Sequence, residues 1–196
     1  MPFPAFIEHT RDGEKAYDVY TRMLKDRIVF LTGVVREEMA NHLVAQLLLL
    51  ESQNDKAPII MYVNSPGGSV THGMSIYDTM QYITSPIHTV VIGQAASMAS
   101  LLACSGEHRS ITTNSRHMTH QPLGGASGQA TDVLIHANEL VRWKEVLTGI
   151  YQKHTGQDYA KLEADMERDN YMTAEQAKAY NLVDEIVERR IESTTD

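Results

Sequence analysis

The chain has 196 residues, 42% hydrophobic and 21% charged, which suits a single globular domain over residues 1–196 with a sizeable core. A formal net charge of −8 argues against a general nucleic-acid binder, and no run approaches the ~18–20 apolar residues of a membrane span. The N-terminal segment lacks the basic and long apolar regions of a signal peptide, and one cysteine, Cys104, excludes an internal disulfide framework, so a cytoplasmic protein is the expectation.

In chain order, 27–31 predicts a strand ending near Thr32-Gly33. A helix from Glu37 to about Ser52 follows, opened by acidic residues, with Met39, Leu43, Val44, Leu47 and Leu48 as its apolar face. The strand 59–63 leads into Ser65-Pro66-Gly67-Gly68-Ser69, read as a small-residue loop. A helix from about Thr71 to Tyr82 carries Met74, Ile76, Tyr77 and Met80. The strand 89–92 runs into the small residues 93–100, and a helix from Ser97 ends near Gly106. A short strand near 108–112 precedes the segment 114–125. Repeated β–α units with no linker or repeat predict an α/β domain.

Residues 132–154 read as one helix of roughly 35 Å at ~1.5 Å per residue. Leu134, Ala137, Leu140, Val141, Leu147 and Tyr151 make one apolar face. Ile135, Trp143, Val146 and Ile150 spread apolar surface around the rest, so the helix needs more than one packing partner. Two readings stand: a central core helix, or a helix that projects from its domain and is buried by another subunit.

Ser97 is the residue with the most chemistry to offer. A serine where strand becomes helix has an exposed hydroxyl beside unpaired helix N–H groups. Paired glycines at the end of the preceding strand, Gly67 and Gly68, leave backbone N–H groups uncovered, as an oxyanion hole requires. Pro-Gly-Gly alone is an ordinary turn. Two such segments in consecutive β–α units line the crevice at the strands' carboxyl ends and favour acyl chemistry. Among nine histidines, His120 is the best base candidate, since it leads into Gln121-Pro122-Leu123-Gly124-Gly125, a loop able to carry it to Ser97. Asp165, Asp169 and Asp184 are equal candidates to orient it. No His-Glu-x-x-His pair exists and Cys104 has no cysteine partner, which argues against zinc. Cys104 reads as a buried structural thiol. Residues 124–129 lack the Lys-Ser/Thr ending of a phosphate loop, which argues against nucleotide binding.

Five motifs, Ser-Pro-Gly-Gly-Ser-Val at 65–70, Gly-Gln-Ala-Ala-Ser-Met at 93–98, His-Gln-Pro-Leu-Gly-Gly at 120–125, Gly-Gln-Ala-Thr-Asp at 128–132 and Glu-Arg-Asp-Asn at 167–170, resemble the ClpP family, the proteolytic subunits of Clp protease. The likeness runs from about Pro4 to Val187 in the family's order. It implies a crotonase-like spiral of β–β–α units, an N-terminal pore-lining segment over 1–18 and a handle region over 120–154. It makes Ser97 the nucleophile, His120 the general base and Asp169 the group that orients it, with Gly68 and Met98 as backbone oxyanion donors. It implies two stacked seven-membered rings of this chain, with Arg168 and Glu167 meeting across the ring equator. Unfolded polypeptides would be the substrates, fed by a Clp-type AAA+ unfoldase that uses the ATP, with no cofactor in this chain.

The segment between Ser97 and His120 is about two residues shorter than the family's, and Ala99 stands where a glycine is usual. The start of the chain lies close to the family's mature start, so no long propeptide is expected. Tyr62, Ser110 and Thr112 fall where the family receives the unfoldase's hydrophobic loop, and the two hydroxyl residues make that surface more polar. Two other classes are weighed: a non-catalytic ring subunit, which an intact Ser97, His120 and Asp169 argue against, and a crotonase-like acyl-CoA enzyme, which would not need the serine.

Overall fold

The computed structural model describes residues 5–10 and 13–188. Strands β1 (Ala5–Thr10) and β2 (Gly13–Asp18) pair antiparallel. They take up the described part of the 1–18 segment; residues 1–4, 11 and 12 lie outside the described residues. The Asp18 carboxylate accepts from the Thr21 N–H at 3.0 Å and caps α1 (Val19–Lys25).

The aliphatic runs become the parallel centre of a seven-stranded sheet. β3 (Ile28–Val35), β4 (Ile59–Gly68), β5 (Ile87–Ala96), β6 (His108–Thr112) and β9 (Glu185–Val187) lie side by side in that order, all parallel. Side chains alternate across a strand. Ile59, Met61 and Val63 are buried on one face, where α2 (Glu37–Gln53), α3 (Val70–Tyr82) and α4 (Met98–Cys104) complete the core. Every residue of α4 is buried, so it is the central helix of the fold. The mixed α/β architecture with a mostly parallel sheet agrees with the expected fold class.

Both site-bearing strands run further than the sequence predicts. Gly67 and Gly68 are not a loop: they continue β4 and pair with Val34 and Val35 of β3 across a register irregularity. β5 continues past Ile92 because it changes partner: its first half pairs with β6, and Gln94–Ala96 pair with β7 (Arg116–Thr119). β7 in turn pairs antiparallel with β8 (Asn170–Thr173).

The face of α2 is also shifted. Ala40, Leu43, Leu47 and Leu50 are buried, Met39 and Val44 pack at the margin, and Leu48 is exposed. Four successive leucines hide which stripe faces inward.

The long helix α5 spans Ala130–Thr155 and ends at Gly156, which takes the left-handed conformation expected at a helix C-terminus. Its two halves differ. Leu147, Ile150 and Tyr151 are buried, whereas Leu134, Ile135 and Val141 are 63%, 59% and 56% exposed. Hence the core-helix reading holds for the C-terminal half only. α6 (Tyr159–Asp165) and α7 (Ala174–Ala179) complete the described elements. Among the described residues no helix is long and apolar enough to cross a membrane.

Candidate active site

Ser97 stands between β5 and α4 at φ 55° and ψ −126°, a conformation that costs a non-glycine residue about 1–3 kcal/mol. Its surroundings hold it there. The Ser97 N–H donates to the Met118 carbonyl at 2.8 Å, and the Ser97 carbonyl accepts from Ser100 N at 2.9 Å and Leu101 N at 3.3 Å. A third donor to that carbonyl is the Tyr151 hydroxyl, at 3.3 Å.

Strand pairing brings the other two polar groups in. Ala96 is the register partner of Met118, so the residues just past β5 and β7, Ser97 and His120, are neighbours. Thr119 is the register partner of Asn170, so Asp169, which precedes β8, meets His120, which follows β7. Gln121 clips the two loops together: its N–H donates to the Met166 carbonyl at 2.7 Å and its side-chain amide to the Glu167 carbonyl at 3.1 Å. The outcome is a continuous chain. Ser97 Oγ lies 2.8 Å from His120 Nε2, and His120 Nδ1 lies 2.9 Å from Asp169 Oδ1. A carboxylate can only accept, so Asp169 fixes the imidazole proton on Nδ1 and leaves Nε2 to accept from Ser97.

The two glycines are required by space. A Cβ at Gly67 would lie 2.5 Å from the Ala96 carbonyl oxygen and 2.8 Å from Ser97 Cβ. One at Gly68 would lie 2.3 Å from the Val35 carbonyl oxygen. Gly68 and Met98 border the same cleft as Ser97 and His120. That cleft, of about 330 Å³, is otherwise lined mainly by apolar side chains, among them Val70, Leu101, Met118, Pro122 and Leu147. Met98 opens α4, where N–H groups have no partner within the helix. A polypeptide carbonyl seated there would meet an oxygen nucleophile with a base behind it.

A protein-family model described as Clp protease matches residues 11–190. The chain belongs to the Clp protease family. It is a ClpP-type serine endopeptidase.

The other residues that the family resemblance singled out lie away from the cleft. Tyr62 is on the outer face of the sheet, stacked on Phe30 with ring centroids 5.8 Å apart. Ser110 is buried and donates to Glu185 Oε1 at 3.1 Å, while Thr112 Oγ1 lies 2.6 Å from Ser115 Oγ and 3.3 Å from the Val91 carbonyl. The Ser110 hydroxyl is thus engaged with Glu185 within the chain. What makes this face polar was missed in the sequence: the His88 and His108 rings meet at 5.5 Å and His108 Nε2 contacts Glu185 Oε1 at 2.8 Å. The hydrogen bond from His108 holds the Glu185 carboxyl below its usual range. Histidines at 88 and 108 stand two places before Val90 and Ser110 on their strands, a period-2 signal that was available.

Arg168 sits beside Asp169 with its side chain 87% exposed, 3.7 Å from Glu167 Oε1 of its own chain. Such a contact adds little to stability. Cys104 is buried, its thiol pushed up to about 12 by desolvation, as fits a structural thiol. Among the described residues no group of three or more His, Cys, Asp or Glu is placed to hold a metal ion.

Proposed function

We propose that Ser97, His120 and Asp169 carry out peptide hydrolysis by acyl transfer. Ser97 Oγ attacks the scissile carbonyl while His120 Nε2 takes its proton. The tetrahedral oxyanion is held by the N–H groups of Gly68 and Met98, and His120 returns the proton to the leaving amine. Water then attacks the acyl-enzyme with His120 again as base. Asp169 keeps the imidazole oriented and offsets its charge. These side chains and water suffice for the reaction, with no cofactor in the chain. The observation that carries this reading is the 2.8 Å and 2.9 Å pair of contacts on the two sides of one imidazole.

The larger setting follows from surface. Leu123 and the exposed half of α5 leave apolar side chains in water, which supports their burial against other copies of this chain. We infer a crotonase-like spiral with α5 as its handle, and two stacked seven-membered rings enclosing a chamber in the cytoplasm. A Clp-type AAA+ unfoldase would feed unfolded chains to it. The outer sheet face at Phe30, Tyr62 and Val90, ending in His108 and Glu185, would receive that partner.

The test is turnover of a short fluorogenic peptide by purified protein without ATP. Wild type hydrolyses it, and Ser97→Ala or His120→Ala loses at least ~10³-fold, because nucleophile and base act as one unit. Retention of most activity in pure Ser97→Ala protein sinks the assignment.

A further inference from the structure

Tyr151 lies in the buried half of α5 and borders the cleft, and its hydroxyl donates to the backbone carbonyl of Ser97 at 3.3 Å. That carbonyl belongs to the peptide unit whose other end is the Met98 N–H. A peptide unit is a rigid plane, so turning its C=O turns its N–H by the same angle. Ser97 is at a sparsely allowed φ/ψ pair, and a strained residue needs outside groups to keep its plane in place. The two other donors, Ser100 N and Leu101 N, approach from α4 itself and move with it. Tyr151 alone of the three anchors the plane to a different helix.

We propose that Tyr151 is a positioning residue for catalysis: its hydroxyl fixes the Ser97–Met98 peptide plane and so aims the Met98 N–H at the oxyanion. This rests on the reading of Ser97 as nucleophile and Met98 as oxyanion donor.

Burial raises the ionisation of the phenol far above the ordinary range, so it stays a donor. Ser100 Oγ lies 2.9 Å from His117 Nδ1. His117 is fully buried and its Nε2 has no partner. With the imidazole proton on Nδ1, His117 donates to the hydroxyl of Ser100, the residue whose own N–H donates to the Ser97 carbonyl. The unpartnered Nε2 is then a bare lone pair rather than a buried N–H. This second serine–histidine pair, sealed from the cleft, supports the backbone of the first.

The experiment compares wild type with Tyr151→Phe, which keeps the ring and loses only the hydroxyl. A fluorogenic peptide gives kcat and KM. A peptide boronate, whose tetrahedral adduct on Ser97 puts an oxygen where the oxyanion forms, gives affinity for that geometry. Deleting a whole oxyanion donor costs ~10²–10³ in kcat, so mis-aiming one is expected to cost about 10-fold. KM should stay within about twofold and boronate affinity should fall in proportion to kcat. Tyr151→Leu, which also removes the ring, should add a rise in KM because the cleft wall is lost. Wild-type kcat and boronate affinity in Tyr151→Phe, or a loss confined to KM, overturns the proposal. A wild type that hydrolyses peptide yet forms no boronate adduct on Ser97 overturns the nucleophile assignment, and this proposal with it.

Discussion

Gly67 packs its Cα directly against Ser97, and this contact sets how closely β4 and the start of α4 approach. A methyl group there would lie 2.5 Å from the Ala96 carbonyl oxygen and 2.9 Å from Met98 N, and φ of +87° is unfavourable for any L side chain. Gly67→Ala should therefore displace Ser97 and Met98 together. We expect a stability loss of about 2 kcal/mol or more and at least a ~100-fold loss of peptide turnover, since small misplacements of reacting groups are that costly. Thermal melting and turnover on one preparation check it; near-wild-type turnover would show that the glycine is a convenience of the turn. The small-residue pattern made Ser97 and Gly68 visible in the sequence. Asp169 was not separable from Asp165 or Asp184 by composition, because the choice is made by the pairing of Thr119 with Asn170. Gln121 and Tyr151 carried no signal either: both act on backbone carbonyls, which a sequence does not display.

At the scale of elements, long periodic segments were legible and most short ones were not. α3, α5 and the short β6 fall where the pattern puts them, to within two residues, whereas the β1–β2 hairpin, α1, α6, α7 and β8 went unassigned. Helices of six or seven residues are held by caps and neighbours more than by their own propensity. α7, for example, opens with a capping box between Thr173 and Gln176. The strand β7 carries a pH-sensitive element. Desolvation, the larger effect, and the nearby Arg109 charge push the His117 imidazole down to about 3. An unfolded chain takes up that proton near 6.5, so the folded state is fully favoured above that pH and loses stability as pH falls towards 3. The slope is ~1.4 kcal/mol per pH unit from this one residue. His154, pushed down to about 4 mainly by desolvation, acts in the same direction. Chemical denaturation at several pH values between 7 and 4.5 should show the loss, and His117→Gln should flatten it whatever its stability at pH 7. Equal slopes in the two proteins would remove His117 from this role.

For the whole molecule, the decisive feature is surface that one copy leaves uncovered. Burying a large apolar side chain such as Leu134 or Ile135 contributes ~1.5–3 kcal/mol, and in the proposed rings every copy would repeat the contact. Leu134→Asp should therefore yield smaller particles by light scattering after size exclusion. Arg168→Ala should do the same, with slow peptide turnover although Ser97, His120 and Asp169 remain. Asp169 is itself 56% exposed, on the loop that carries Arg168, so a lost contact there loosens the group that orients His120. Variants that stay full-sized and fully active would remove these residues from assembly. The turnover outcomes depend on Ser97 being the nucleophile. The direct measurement is peptide mapping by mass spectrometry after reaction of the wild-type protein with a fluorophosphonate. A single adduct on Ser97, absent from His120→Ala under the same exposure, is the predicted result. An adduct on another residue, or unlabelled protein that still cleaves peptide at full rate in excess reagent, would contradict it.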